Sequence, residues 1–203
     1  MPIIERLRNL LSMRRLFLVR HAKAEPSVGR DDYARKLTGR GRADARRVAK
    51  ALAARHFLPD VLIHSGAARA KETAEIFVAA WRDEVKLREQ AWLYDASLTT
   101  LLDHTRALGH EHKRVGLVGH NPGLGALATA LTGSGAEPEL RRLAAKYPTG
   151  AVAVLDFSIQ RWEEVAPNAA MLALYLTPAE LEADADQEPG TRSPTPRSRS
   201  GSA

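Results

Sequence analysis

Short apolar runs alternate along this chain with longer stretches in which apolar residues recur every three or four positions, and that alternation leaves few folds open. Leu16-Phe-Leu-Val-Arg20 reads as a buried strand, and Thr38-Gly-Arg-Gly41 opens a helix with Ala43, Val48, Ala51 and Leu52 along one face. Val61-Leu-Ile-His64 is a second strand, followed by a helix over 67–81, a weaker strand over 86–94 and a helix over 97–108. Arg114-Val-Gly-Leu-Val118 is the next strand, and a helix over 123–131 follows it. This rhythm predicts an α/β protein, a three-layer α/β/α sandwich around a mainly parallel central sheet. The last apolar runs, 150–157 and 170–176, are joined by a turn at Pro167-Asn168 and read as an added hairpin-like pair at the sheet edge.

The 203 residues suit one domain with tails. Residues 1–12 form an N-terminal extension in which Ile3, Ile4, Leu7, Leu10 and Leu11 recur at helical spacing, so a short amphipathic helix is expected there. The folded domain is placed at 13–182. From 183 to 203 the chain is rich in Pro, Ser and Gly, with no large apolar residue to bury, and is expected to be a disordered tail. Charges break the apolar leader and no run reaches the roughly 18 residues of a spanning helix, so neither a secretory signal nor a membrane is expected, and the expected location is the cytoplasm. The formal charge of +6 includes four arginines against Glu5 in residues 1–15. The body's surplus is too small and diffuse for a nucleic-acid binder. Cysteine is absent, which removes thiolate nucleophiles and cysteine-ligated metals.

In an open α/β sheet, ligands bind beyond the carboxyl ends of the strands. Arg20-His21 follows the first strand. Ser65 follows the second, with Arg69 one turn into the next helix. Asp95 follows the third, and Gly119-His-Asn-Pro-Gly123 the fourth. Two arginines and two histidines thus converge on one rim. Guanidinium groups stay charged and match phosphoryl oxygens with paired N–H donors. Their charge keeps a neighbouring imidazole neutral, with a lone pair free to attack phosphorus. The rim reads as a phosphate pocket with histidine as its best nucleophile.

Three segments carry a wider likeness. Leu18-Val-Arg-His-Ala22, His64-Ser-Gly-Ala-Ala-Arg-Ala-Lys-Glu-Thr-Ala74 and Leu117-Val-Gly-His-Asn-Pro-Gly-Leu124 resemble, in that order, the signatures of the histidine phosphatase superfamily, which includes the phosphoglycerate mutases. The likeness spans about 16–178. It is nearest to the small SixA-like phosphohistidine phosphatase branch, because Ala22 follows His21 where the mutases usually have Gly, and because Asp95 to Arg114 holds one helix and no cap domain. The resemblance implies a metal-independent phosphatase without cofactor, in which His21 becomes a phosphohistidine and Arg20, Arg69, His120 and Asn121 hold the phosphoryl oxygens. Asp95 is its nearest match for an acid that protonates the leaving group; Glu25, Asp31 and Asp32 are alternatives. The implied partner is a protein bearing phosphohistidine. Two other functions stay open: hydrolysis of small phosphorylated metabolites such as nucleotides or sugar phosphates, and phosphate binding without catalysis.

Other features have plainer readings. His110-Glu-His112 is expected in a solvated loop. His64 reads as a strand residue. Arg40, Arg42, Arg46, Arg47 and Lys50 make the first helix basic, either as a solvated face or as a docking face for an acidic protein.

Overall fold

The computed structural model describes residues 13–187 apart from 28, 30, 83 and 84. The extension over 1–12 and the stretch after 187 lie outside the described residues. Seven strands form one sheet: β1 (Arg14–Arg20), β2 (Val61–His64), β3 (Lys86–Glu89), β4 (Arg114–Gly119), β5 (Thr132–Gly135), β6 (Val152–Phe157) and β7 (Ala170–Leu176). Their order is β3-β2-β4-β1-β6-β7-β5. The half that carries the candidate site, β3 to β1, is parallel throughout, whereas β6 runs antiparallel to both β1 and β7.

Among the described residues six helices cover the two faces: α1 (Gly39–Ala54), α2 (Ala68–Ala80), α3 (Leu98–Arg106), α4 (Gly123–Leu131), α5 (Glu137–Ala145) and α6 (Pro178–Gln187). Side chains alternate across a strand. Leu16 and Leu18 of β1 therefore join the core beneath α3, α4 and α5, and Phe17 and Val19 join the one beneath α1 and α2. This is the expected three-layer sandwich with a mostly parallel sheet.

Two expectations are corrected. The pair β6–β7 does not end the sheet, because β5 adds a parallel strand beyond β7. That strand reads Thr-Gly-Ser-Gly and offers no apolar pattern. Its Gly133 lies against the Asn168 backbone, where a Cβ would fall 1.9 Å from the carbonyl oxygen. The helix α6 spans position 182, with Glu182 pairing with Arg40 at 2.6 Å and Leu181 packing against the core under α1. Finally, His112 is buried, its carbonyl accepting from the Trp162 indole N–H at 2.9 Å, so it is not a solvated loop residue. No helix among the described residues is long and apolar enough to cross a membrane.

Candidate active site

The carboxyl ends of β1, β2 and β4 open on a cavity of about 530 Å³ lined by Arg20, His21, Arg69, His120, Asp95 and Asn121, together with Asp32, Arg35 and Tyr94. Glu25 and Asp31 do not line it. Four cations, with Lys23 the fourth, face two carboxylates, so the cavity favours anions.

His21 directly follows β1 and is 8% exposed. Its Nδ1 lies 2.8 Å from the Ala22 carbonyl, and its Nε2 accepts from Arg69 Nε at 3.2 Å. Both contacts are satisfied by a neutral ring with the proton on Nδ1 and the lone pair on Nε2. Burial, then the nearby charges of Arg69, Arg20 and Arg35, push its pKa down to about 4, against the opposing hydrogen bond to Ala22. His120 is pushed down to about 3 by burial, by His21 and by Arg69. Its Nδ1 faces Arg69 Nη2 at 3.3 Å and its Nε2 faces Ser65 Oγ at 2.7 Å. The two imidazole centroids are 5.1 Å apart.

Arg69, 5% exposed on the first turn of α2, connects these groups. Besides the two histidines, its Nη1 donates to the Asp32 carbonyl at 2.6 Å and its Nη2 to Asp32 Oδ2 at 2.9 Å. Asp32 Oδ2 also accepts from the Tyr94 hydroxyl at 2.8 Å, and Oδ1 from Arg35 Nε at 2.8 Å. The Tyr94 hydroxyl first, then Arg35 and Arg69, hold this carboxyl down to about 2, so Asp32 is ionised at neutral pH. Arg20 donates through Nη1 to the Tyr147 carbonyl at 2.8 Å, while its buried Nε has no hydrogen-bond partner among the described residues. A buried donor left unpaired costs about 1–3 kcal/mol, and an anion accepting from it removes that cost.

Asn121 is held by the protein at both ends of its amide. Nδ2 donates to the Tyr147 carbonyl at 3.0 Å, and Oδ1 accepts from Gly125 N–H at 3.2 Å, capping α4. Asp95 sits at a positive φ of 47°, is exposed, and has no hydrogen bond or ion pair among the described residues. His64 ends β2 buried, its Nδ1 accepting from Gly66 N–H at 3.1 Å.

The sequence reading did not single out Thr73, Tyr94, Arg35 or Tyr147. Thr73, fully buried four residues after Arg69, donates to the Arg69 carbonyl at 2.7 Å and accepts from Ala22 N–H at 3.1 Å, tying the two halves of the site together. The signal for it was a polar residue one turn on from a site arginine on a buried helix face. Tyr147 sends its hydroxyl to the Leu18 carbonyl at 2.6 Å while its own carbonyl holds Arg20 and Asn121, a role that no sequence spacing announces. At the edge of the cavity, α1 seats against the loop after β1. Gly41 is required there, since a Cβ would fall 2.0 Å from the Lys23 carbonyl oxygen.

A mostly parallel α/β sheet with a neutral, arginine-held imidazole at its carboxyl edge suits phosphoryl transfer. Residues 16–93 match the sequence model of the histidine phosphatase superfamily, branch 1. A candidate phosphohistidine phosphatase SixA from Agrobacterium tumefaciens is 31% identical, with a TM-score of 0.68 over 81% of this chain and 97% of that one. A second, from Nakamurella multipartitia, is 31% identical with a TM-score of 0.67 over 82% and 96%. An uncharacterized protein of Mycobacterium leprae is 30% identical over 165 residues, 79% of this chain and 99% of its own. The chain belongs to the histidine phosphatase superfamily, is SixA-like, and is a phosphatase.

Proposed function

We propose that this phosphatase removes the phosphoryl group from phosphohistidine on a protein, without a metal, by two in-line transfers through His21. The observation that carries the reading is His21 itself, a buried neutral imidazole whose Nε2 is held by Arg69 in a cationic cavity. In the first transfer the Nε2 lone pair forms a bond to phosphorus as the substrate's P–N bond breaks, and the leaving imidazole takes up a proton. In the second, water attacks phosphorus, the His21–phosphorus bond breaks, and inorganic phosphate leaves. Arg20 and Arg69 hold the equatorial oxygens, where charge accumulates, and His120 joins them by exchanging its Ser65 contact for a phosphoryl oxygen. Asn121 contributes by fixing the α4 terminus and the Tyr147 carbonyl beside them.

Of the four carboxyl groups considered as the acid, Asp95 is the one we assign. Asp32 is ionised and engaged, Glu25 and Asp31 do not line the cavity, and Asp95 lines it without a partner. A phosphoramidate nitrogen is protonated more readily than an alkoxide leaves. Asp95→Asn is therefore expected to lower turnover of an alkyl phosphate ester about 10²-fold or more while lowering that of phosphoramidate far less. Equal losses on both substrates remove Asp95 from this role.

The titration of His21 gives a second expectation. Attack needs the neutral ring, and kcat/KM reports the free enzyme. Corrected for the substrate's own ionisation, kcat/KM should stay level from neutral pH down through 6.5, the ordinary histidine value, and fall only as His21 protonates near about 4. A limb near 6.5 would show a solvated histidine instead. The same depression links to stability, since below 6.5 the unfolded chain binds protons that folded His21 and His120 refuse. Their contribution is complete above 6.5 and is lost as pH falls from there through about 4 for His21 and about 3 for His120.

The small-metabolite reading has its own support, because structures sharing this fold include a mycobacterial glucosyl-3-phosphoglycerate phosphatase, at 18% identity and a TM-score of 0.53. A steady-state panel of phosphohistidine protein, phosphoramidate, nucleotides and sugar phosphates separates the two. A kcat/KM highest for the phosphohistidine protein supports our reading, and a preference for one metabolite over it replaces that reading.

A further inference from the structure

Neighbouring residues of one loop line two different cavities. Arg35 lines the active-site cavity, and Lys36 lines the mouth of a groove of about 610 Å³ between α1 and α2. Arg42, Arg46 and Lys50 form one bank of the groove. They recur every fourth residue of α1, a stripe about 12 Å long at 1.5 Å per residue. Most other cations of α1 are neutralised, Arg40 by Glu182 and Arg47 by Asp44, and Arg42 pairs with Glu72. Lys36, Arg46 and Lys50 are exposed and have no ion pair among the described residues. The unpaired positive charge of this helix is thus gathered in the groove.

The opposite bank, on α2, is small and apolar: Ile76, Ala79 and Ala80, with Ala79 exposed. Short side chains let another helix approach closely, and cations along one side of an apolar strip select a helix with an apolar ridge and one acidic flank, turned towards α1. The same bank carries Glu72, paired with Arg42, and Glu75, so the occupant's carboxylates must lie on the α1 side alone, which a helix with one acidic flank satisfies and a nucleic-acid backbone, charged on all sides, does not.

We propose that this groove docks an acidic amphipathic helix of the phosphorylated protein substrate. The apolar ridge of that helix rests on Ile76, Ala79 and Ala80, and its carboxylates meet Lys36, Arg46 and Lys50. The phosphorylated side chain enters the neighbouring cavity past Arg35. The inference rests on the protein-substrate reading, but its binding test does not depend on turnover.

The probe is a fluorescein-labelled 18-residue helical peptide of Glu, Ala and Leu with one histidine, compared by anisotropy with its Lys counterpart and with a single-stranded oligonucleotide. Wild-type protein should bind the acidic peptide and not the basic one, more weakly as salt rises. The charge reversal K36E/R46E/K50E should weaken binding about tenfold or more and flatten the salt dependence. Ala79→Glu, which places a bulky charge on the floor, should weaken it too. With the peptide's histidine phosphorylated, the triple variant should lose kcat/KM by a similar factor while hydrolysing phosphoramidate as the wild type does. Binding that is absent in the wild type, unchanged in the triple variant, or exceeded by the oligonucleotide overturns the proposal. Discriminating peptide binding with no hydrolysis of phosphoramidate by the wild type would instead keep the groove and reject the phosphatase site assigned above.

Discussion

His21→Ala is expected to reduce phosphate release from phosphoramidate by about 10³-fold or more while leaving the melting temperature close to that of the wild type. The loss is large because no other residue among those described is placed to take over. The second imidazole, His120, has both ring nitrogens engaged, by Arg69 and Ser65, and no cysteine exists anywhere in the chain. The fold should tolerate the change because the ring sits at the end of β1 against a cavity rather than within either apolar core. Alanine also removes a group whose burial favours the neutral form, so the variant should lose less stability than the wild type as pH falls below 6.5. Activity and thermal melts on the same preparations check both statements. Substantial turnover by a folded His21→Ala protein would reject the covalent route.

Arg69→Lys is expected to be nearly as damaging as Arg69→Ala, each lowering kcat/KM by about 10²–10³-fold. Arg69 uses Nε on His21, Nη1 on the Asp32 carbonyl, and Nη2 on both Asp32 Oδ2 and His120. An ammonium is a single point and cannot span that fork. The two substitutions differ in a second readout. Arg69 is one of the charges that depress His21 and His120, and alanine deletes it whereas lysine keeps a cation nearby. The acid limb of kcat/KM should therefore move upward from about 4 in Arg69→Ala and much less in Arg69→Lys. If lysine restores most of the rate, the geometric role of the fork is wrong and only its charge matters.

Much of this site was legible in the sequence because chemistry and topology agree at strand ends. Arg20-His21, Ser65, Arg69 and His120 each follow a strand whose apolar run is unambiguous, and a parallel sheet brings such ends to one edge. The residues that hold this set in place were not legible, for a common physical reason. Thr73 acts through a backbone N–H and a carbonyl, and Tyr147 largely through its own carbonyl. Backbone groups are present at every position, so they leave no mark in residue type. Asp32 was foreseen as a candidate acid, but its spacing could not reveal that Tyr94, Arg35 and Arg69 converge on it and hold it ionised. At the level of the fold, the sequence patterns have no counterpart for β5, α5 or α6. β5 is a glycine-rich strand that owes its place to close backbone approach, and α6 begins at Pro178, at the point where composition turns polar.

Passage of phosphate through the His21 imidazole leaves a covalent adduct that rapid quenching detects. Wild-type protein mixed with phosphoramidate and stopped in alkali within one turnover should carry phosphate on the peptide containing His21, stable in base and lost in acid. Phosphate released at the full rate with no such adduct, or an adduct on another residue, would contradict the account.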